Sequence, residues 1–545
     1  MRRTVPTVAA LALVAGALVA PTTANAASEP RWISHIKQYP GGISNGVRAM
    51  YAASGAGAAA ANSRAATQAN AGGYVAAPKA AGGNVQMNDD SNPPLPQNET
   101  AVAYNVNHPL IAVAAANDYV SGGVVVMRTT DGGKHWASTR ITPQFRGTGD
   151  FCNGGDPGVA YSRRDGAFYL SQLCFFRSQA YSEIQVYKSV DNGQTWTPGR
   201  QAARAASNYD YTTGTVDESI FNDKELIAVD NTPTSPHYGR LYVTYTKFHL
   251  QPDGFSDYCP LQLSYTDTIP TENPALTTWA HTAIQPDNPG GDGTGLSANQ
   301  FSVPVVEQNG ALDIGFVSEE CNASYDPHLL FQKSTDGGAT FLPQPVQIDK
   351  PGQYADFLDD ARDDTLPPTA FRAPNTVSLA YSPRTGTLLY VYQNNINRPL
   401  SAADISYQTS ADGGLHWSDS AFLSTGANGT PARNDQFLPW AASDENGRFY
   451  AIWFDRRQDP ANVRINTWQA VSGNNAASFT SAKISTKDWD PNLGFLGSGA
   501  FIGDYNGLAA STKAVYPVWT DGRDSAIAQT GIGETDIFTN VEINP

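Results

Sequence analysis

The sequence predicts an all-β protein built as a β-propeller, a ring of four-stranded sheets (blades) packed around one axis. Three observations predict it. A strand–turn–strand pattern recurs seven times along the chain. One short corner built on Asp and Gly is written four times. From residue 97 onward about 450 residues carry this pattern without a linker, longer than an ordinary domain but usual for a closed β-architecture.

In chain order, the first element is a leader. Met1-Arg2-Arg3 is a basic start, residues 8–20 are apolar, and Ala24-Asn25-Ala26 is a small-x-small cleavage site. This reads as a secretory signal peptide, residues 1–26, cut after Ala26; the apolar run is too short to span a bilayer. The protein is therefore expected to be exported and extracellular. Residues 27–96 are rich in Ala, Gly, Ser and Asn, with 52–61 (AASGAGAAAA) close to low complexity. They are read as a flexible arm without chemistry. Residues 97–545 are assigned to the propeller.

The seven units are 100–105 with 110–116, 158–162 with 167–173, 226–230 with 240–245, and 302–306 with 311–317. They continue as 377–381 with 387–392, 438–443 with 448–454, and 507–510 with 514–520. Spacing between units is roughly 58 to 78 residues, room for four short strands in each. The last unit has one further strand, around 536–542, so an early strand near 84–87 or at Thr100 is expected to complete it and close the ring. Seven blades is the preferred count and six the alternative.

The corner occurs at 129–136 (TTDGGKHW), 189–196 (SVDNGQTW), 334–341 (STDGGATF) and 410–417 (SADGGLHW). Its Asp can accept hydrogen bonds from the N–H groups of its own turn, Gly supplies a positive φ, and the aromatic folds back beneath. This pattern is the Asp-box, and at these four places the chain resembles the sialidase-like β-propeller superfamily. In that superfamily the box lies on the side of the ring away from the binding face. The resemblance thus implies that Asp131, Asp191, Asp336 and Asp412 staple the fold.

Propeller topology says where chemistry collects. Each innermost strand starts on one face, and the second strand of the same blade ends there. Before the first strands stand Glu99, Asp156, Asp223-Lys224-Glu225, Arg372, Asp435 and Asp504-Tyr505. After the second strands stand Asp118-Tyr119, Glu319-Glu320, Asp455-Arg456, Asp521 and Arg523. Charge that is scarce along the strands gathers at one end of the blades, as a functional funnel requires. Salt bridges between blades and turn caps are the competing reading.

Glycoside hydrolysis suits such a funnel, because two carboxyl groups can flank a sugar bond as acid and as nucleophile or base, and crowding raises a general acid's pKa. Sialidases instead use a Tyr nucleophile assisted by a Glu, and hold the sugar carboxylate with three arginines. Phe371-Arg372-Ala373-Pro374 resembles their Phe/Tyr-Arg-Ile-Pro motif, although it stands in the fifth unit here and opens the first blade there. The resemblance implies that Arg372 grips the substrate, that Arg398, Arg456 and Arg523 support it, that Asp404 lies near the acid/base position, and that Tyr505 is the nucleophile. The catalytic candidates are therefore Tyr505, Asp504, Asp455, Asp521 and Asp404. The substrate-binding candidates are Arg372, Arg398, Arg456, Arg523, Asp118, Asp156, Asp223, Glu225 and Asp435.

The formal net charge of −16, with only 16% charged residues, disfavours nucleic acid or an anionic membrane as partner. An extracellular glycan or glycoconjugate is expected instead, bound by a monomer. Cys152, Cys174, Cys259 and Cys321 form an even set in an exported chain; the sequential pairing 152–174 and 259–321 is preferred among the three that four cysteines allow. No cofactor is required, and the histidines show no ligand spacing. Calcium is the one metal considered, at the loops 287–294 or 489–492. The leading expectation is an exo-acting, sialidase-like glycosidase. The alternatives are a propeller that binds glycan or protein without catalysis, and a hydrolase or lyase acting on another polysaccharide.

Overall fold

A computed structural model describes residues 29–38, 43–44, 47–48, 50, 75–76, 83–89 and most of 95–543. Within that last stretch 285–298, 319–327, 355–365, 367, 369–372, 396–401, 427, 494–500 and 524–532 are not described. Seven antiparallel sheets follow one another along the chain. Their innermost strands are Gln97–Asn105, Gly158–Ser162, Ile220–Val229, Asn299–Val306, Val377–Tyr381, Gln436–Ser443 and Gly507–Ala510. The second strands are the most enclosed: Ala167–Phe175, Leu312–Ser318, Leu388–Asn394, Phe449–Asp455 and Ala514–Asp521 are buried at every position. That is why they read as apolar runs and not as an alternating pattern: both faces of each sheet are covered.

Apolar layers fill the spaces between neighbouring blades, one for each of the seven interfaces. Ring closure comes from the expected early strand. Val85–Gln86 pairs with Asp536–Thr539 as the outermost strand of the seventh blade, with Val85 opposite Thr539 and Gln86 opposite Phe538. Of the two places considered for this strand, 84–87 is the one used; Thr100 belongs to the first blade's innermost strand. A further short strand, Val75–Ala76, adds to the outer edge of the first blade.

Part of the segment read as a flexible arm is packed. Helix α1 (Arg31–Gln38) buries Trp32, Ile33 and Ile36, and the following residues bury Ile43, Val47 and Met50. The Trp32 ring lies 5.5 Å from Phe175, at the end of a second strand, and 5.4 Å from Phe221, at the start of an innermost one. Arg31 donates to the Leu250 carbonyl and Gln38 to that of Asp253, each at 2.8 Å. The arm therefore sits on the face where innermost strands begin, here called the upper face. A composition-based reading missed it because six apolar side chains scattered through a small-residue segment are enough to dock it.

The four Asp corners share one geometry on the lower face. In each, the first Ser or Thr hydroxyl accepts from the N–H of the glycine two residues after the Asp, at 2.8 to 2.9 Å. The Asp accepts from that hydroxyl and from the N–H four residues after itself. The His416 imidazole and then its backbone N–H hold the Asp412 carboxyl down at about 2. The sequence reading missed a fifth corner, at 472–479 (SGNNAASF): Asn474 takes the Asp role, and Ala476, at φ +61°, takes the Gly role.

The glycine two residues after each Asp presses on the preceding blade. A Cβ on Gly414 would stand 2.1 Å from Phe331 Cε1, and φ is +88°. Gly414→Ala is expected to destabilise the protein by about 2–3 kcal/mol in chemical denaturation, because neither the ring nor the turn can yield. Gly386→Ala, with φ +70° but open space around it, should cost only about 1 kcal/mol. Ala476→Gly should stabilise by roughly 0.5 kcal/mol by relieving the left-handed backbone.

Candidate active site

At the upper end of the axis the innermost strands do not start straight. The pairing register slips between Asn98 and Ala101, Asp223 and Leu226, Gln300 and Val303, and Phe437 and Trp440. Inside each slip one non-glycine residue has a left-handed backbone: Glu99 (φ 57°), Lys224 (57°), Phe301 (54°) and Leu438 (52°). Asp156 (54°), just before the second blade's innermost strand, makes a fifth. A bulge of this kind re-aims a side chain, and left-handed non-glycine residues are strained by about 1–2 kcal/mol each. The same device in successive blades directs these side chains toward the axis.

The result is a buried charge cluster. Lys224 Nζ lies 3.6 Å from Glu99 Oε1 and 3.9 Å from Asp504 Oδ2, and stands 4.0 Å over the centre of the Tyr505 ring. The Phe301 ring lies on the ammonium at 5.2 Å. Asn117 fixes two members: its Nδ2 donates 2.7 Å to Glu99 Oε2, while its Oδ1 accepts from the Asp156 N–H at 2.8 Å. Glu99 Oε1 also accepts from the Asp504 N–H at 3.0 Å. Gly503, at φ +98°, permits that approach, since a Cβ there would stand 2.7 Å from the Glu99 nitrogen. Tyr505 donates to the Pro157 carbonyl at 3.3 Å, and its ring neighbours Trp440 at 5.9 Å.

Burial decides the protonation states. Glu99, Asp156, Asp223, Glu225 and Asp504 are at most 1% exposed. Burial, with the Asp156 carboxyl beside it, pushes Glu99 up to about 8. Burial pushes Asp223 up to about 7, against the Ser44 N–H, which donates to its Oδ2 at 2.6 Å. Burial and then Asp156 raise Glu225 well above the usual carboxylate range. Neither Asp156 oxygen accepts from an N–H or hydroxyl among the described residues; burial raises this carboxyl, against the pull of the Lys224 charge. Burial disfavours the Lys224 ammonium, but the surrounding carboxyls outweigh it and hold it charged. Burial and those same carboxyls raise the Tyr505 phenol well above its ordinary value, which opposes the phenolate needed by a Tyr nucleophile.

Of the residues singled out from sequence, Asp156, Asp223, Glu225, Asp504 and Tyr505 come together here, joined by Glu99 and Lys224. The others are engaged elsewhere. Asp118 pairs with Arg140 at 2.9 Å, and Asp435 with the buried Arg456 at 3.1 Å. Asp455 accepts from the Trp453 indole and from Arg457; Asp521 accepts from the Trp519 indole and from Arg523. These bonds tie the ends of second strands, the structural role that was the competing reading. They leave neither Arg456 nor Arg523 unpaired for an anion. Asp404 is buried at the start of the fifth blade's third strand, opposite Asn394. Arg372, Arg398, Glu319 and Glu320 lie outside the described residues.

The cysteines support the sequential pairing in part. Cys152 is bonded to Cys174, and Cys259 is disulfide-bonded, while Cys321 lies outside the described residues. The 287–294 loop does too. Among the described residues no three His, Cys, Asp or Glu side chains form a metal-binding group; in the 489–492 loop, Asp490 Oδ1 accepts from the N–H and side chain of Asn492. No described helix is long and apolar enough to cross a membrane.

No family model and no curated protein matches the chain. Among solved structures it is similar to a Hadza microbial sialidase (14% identity, TM-score 0.41, covering 79% of this chain and 73% of that one). It is also similar to a Penicillium chrysogenum alpha-L-arabinanase complexed with arabinobiose (12%, 0.43, 70% and 92%). A third is an ulvan lyase from a polysaccharide lyase family (10%, 0.38, 68% and 79%).

The raised carboxyls set the pH dependence of stability. Glu99 and Asp223 start from ordinary values of 4.5 and 3.8 and reach about 8 and about 7 on folding. The folded chain therefore binds more protons than the unfolded chain between those limits. Stability should be greatest below about pH 3.8 as far as these groups are concerned, and fall as pH rises to 8, by at most about 1.4 kcal/mol per pH unit for each group. Denaturation midpoints measured from pH 5 to 8 should show this fall, and Glu99→Gln should flatten it; a flat profile in the unaltered protein would refute the assignment.

Proposed function

We propose that the protein is an exported propeller glycosidase that removes terminal sugars from extracellular glycans, with the carboxyl centre around Lys224 as its acid–base machinery. The observation that carries this reading is the convergence of five buried carboxyls from four blades on one ammonium at the axis. Glu99, protonated at neutral pH, is the general acid and delivers its proton to the glycosidic oxygen as the bond to the anomeric carbon breaks. Asp504, whose Oδ2 lies 3.9 Å from Lys224 Nζ, takes the proton of the incoming water, whose oxygen adds to that carbon. Trp440, beside Tyr505, offers an aromatic face to the sugar.

Sialic acid is the finer reading. Its carboxylate would need arginines other than Arg456 and Arg523, which leaves Arg372 and Arg398. Neutral sugars make no such demand.

The centre is covered. Ser44 is hydrogen-bonded to Asp223, and helix α1 with the residues after it packs across the upper face. Substrate reaches the centre only when this segment lifts, so turnover scales with the open fraction. The same burial favours the second reading, a propeller that binds glycan without cleaving it.

Release of fluorophore from neutral aryl glycosides and aryl sialosides separates the readings. Deleting residues 27–50, or Ile33→Asp with Ile36→Asp, should raise turnover by about tenfold or more. Glu99→Gln in the deleted form should reduce it by a factor of roughly 100 or more. Absence of turnover from every glycoside in both full-length and deleted proteins would sink the enzyme reading.

A further inference from the structure

The other end of the axis is open. A cavity of about 590 Å³ lies where the innermost strands finish, on the lower face. Val229, Val305 and Leu379, from three blades, form an apolar floor. Tyr104 and Tyr381, from the first and fifth blades, are half-buried on its walls, and Arg163, Asn231, Asp444 and Glu445 stand around them. A separate cavity of only about 70 Å³, lined by Leu226, Val303 and Trp440 among others, lies farther up the innermost strands. A sugar cannot pass it, so the lower cavity is independent of the carboxyl centre and of the glycosidase reading.

We propose that this lower mouth is a binding site for a neutral saccharide of one to three sugar rings. Its polar groups are held in place before any ligand arrives. Glu445 accepts from the Tyr104 hydroxyl at 2.8 Å and from the Thr512 N–H at 2.7 Å. Asn231 accepts from the Arg163 N–H and donates to the Tyr161 carbonyl, each at 2.7 Å. Asp444 accepts from the Arg448 N–H at 2.9 Å and from the Tyr450 hydroxyl at 3.3 Å. Preorganisation of this kind lowers the entropic cost of binding.

Charge selects the class of ligand. Two carboxylates and one guanidinium line the mouth: an anion meets net negative charge, and a cation must lie near Arg163. A neutral polyol uses both, its hydroxyls donating to the exposed Glu445 and accepting from Arg163, while a ring face of C–H groups lies on Tyr104 or Tyr381. The volume falls within the range of small-ligand pockets, roughly 300–1,000 Å³.

Calorimetric titration of the mature protein tests the site with methyl glycosides of glucose, galactose, xylose and arabinose and their common disaccharides; N-acetylneuraminate and glucosamine serve as the charged controls. At least one neutral saccharide should bind saturably by about 10 mM. Glu445→Gln, at an exposed position, should weaken that binding by about tenfold. Ala442→Phe, which fills the mouth, should abolish it, and Glu99→Gln at the far end should leave it unchanged. The proposal is overturned if no neutral saccharide binds, if N-acetylneuraminate or glucosamine binds more tightly, or if affinity follows Glu99 and not Glu445. Glu445→Gln decides the matter even if Ala442→Phe fails to fold.

Discussion

Everything in this protein depends on closing a circle of sheets whose two faces are both apolar. A sheet of this kind is stable only with a neighbour on each side, and seven sheets satisfy the condition only if the last packs on the first. The chain meets it by giving the seventh blade a strand from its own beginning, Val85–Gln86 on Asp536–Thr539. The two ends of a long chain are thereby held in one sheet, and the axis is defined. The lower corners strengthen the ring from outside, because the glycine two residues after each Asp lets a backbone rest against a side chain of the blade before it.

Once the ring is closed, the axis becomes the place where blades with different sequences must meet. At its upper end the solution is electrostatic. Left-handed bulges turn Glu99 and Lys224 inward, the left-handed backbone before the second blade does the same for Asp156, and Phe301 and Leu438 occupy bulge positions as apolar spacers. A cluster of five carboxyls around one ammonium is stable in so dry a place only because several of the acids keep their protons. Such a group of neutral acids beside a fixed positive charge is the raw material of proton transfer. The lower end has a different character: apolar floor, tyrosine walls, a few charges held at the rim, and an open mouth.

Much of the ring was legible from residues alone. Asp412-Gly413-Gly414 announces its corner because Asp, Gly and the aromatic each have a local reason to be there. The seven strand pairs announce themselves because burial on both faces makes their second strands continuously apolar. The corner at Asn474 was not legible, since Asn and Ala replace the two residues that carry the signal while the hydrogen bonds remain. The site was partly legible. Topology alone puts Asp156, Asp223 and Asp504 on one face, but it also puts Asp455 and Asp521 there, and nothing local separates them. What separates them is the indole and the guanidinium that each of the latter two finds nearby.

The sequence by itself determined the class of fold, four of the corners and the face on which charge collects, and favoured seven blades over six, because each follows from turn chemistry or from the period of burial. The tertiary structure decided which charges meet in one buried cluster and which are paired at strand ends, that helix α1 with Ile43, Val47 and Met50 packs on the upper face, and that the accessible mouth is the lower one. Those are properties of distance and desolvation, and a linear pattern specifies neither: the 3.6 Å between Lys224 and Glu99 joins residues of different blades that only the closed ring brings together.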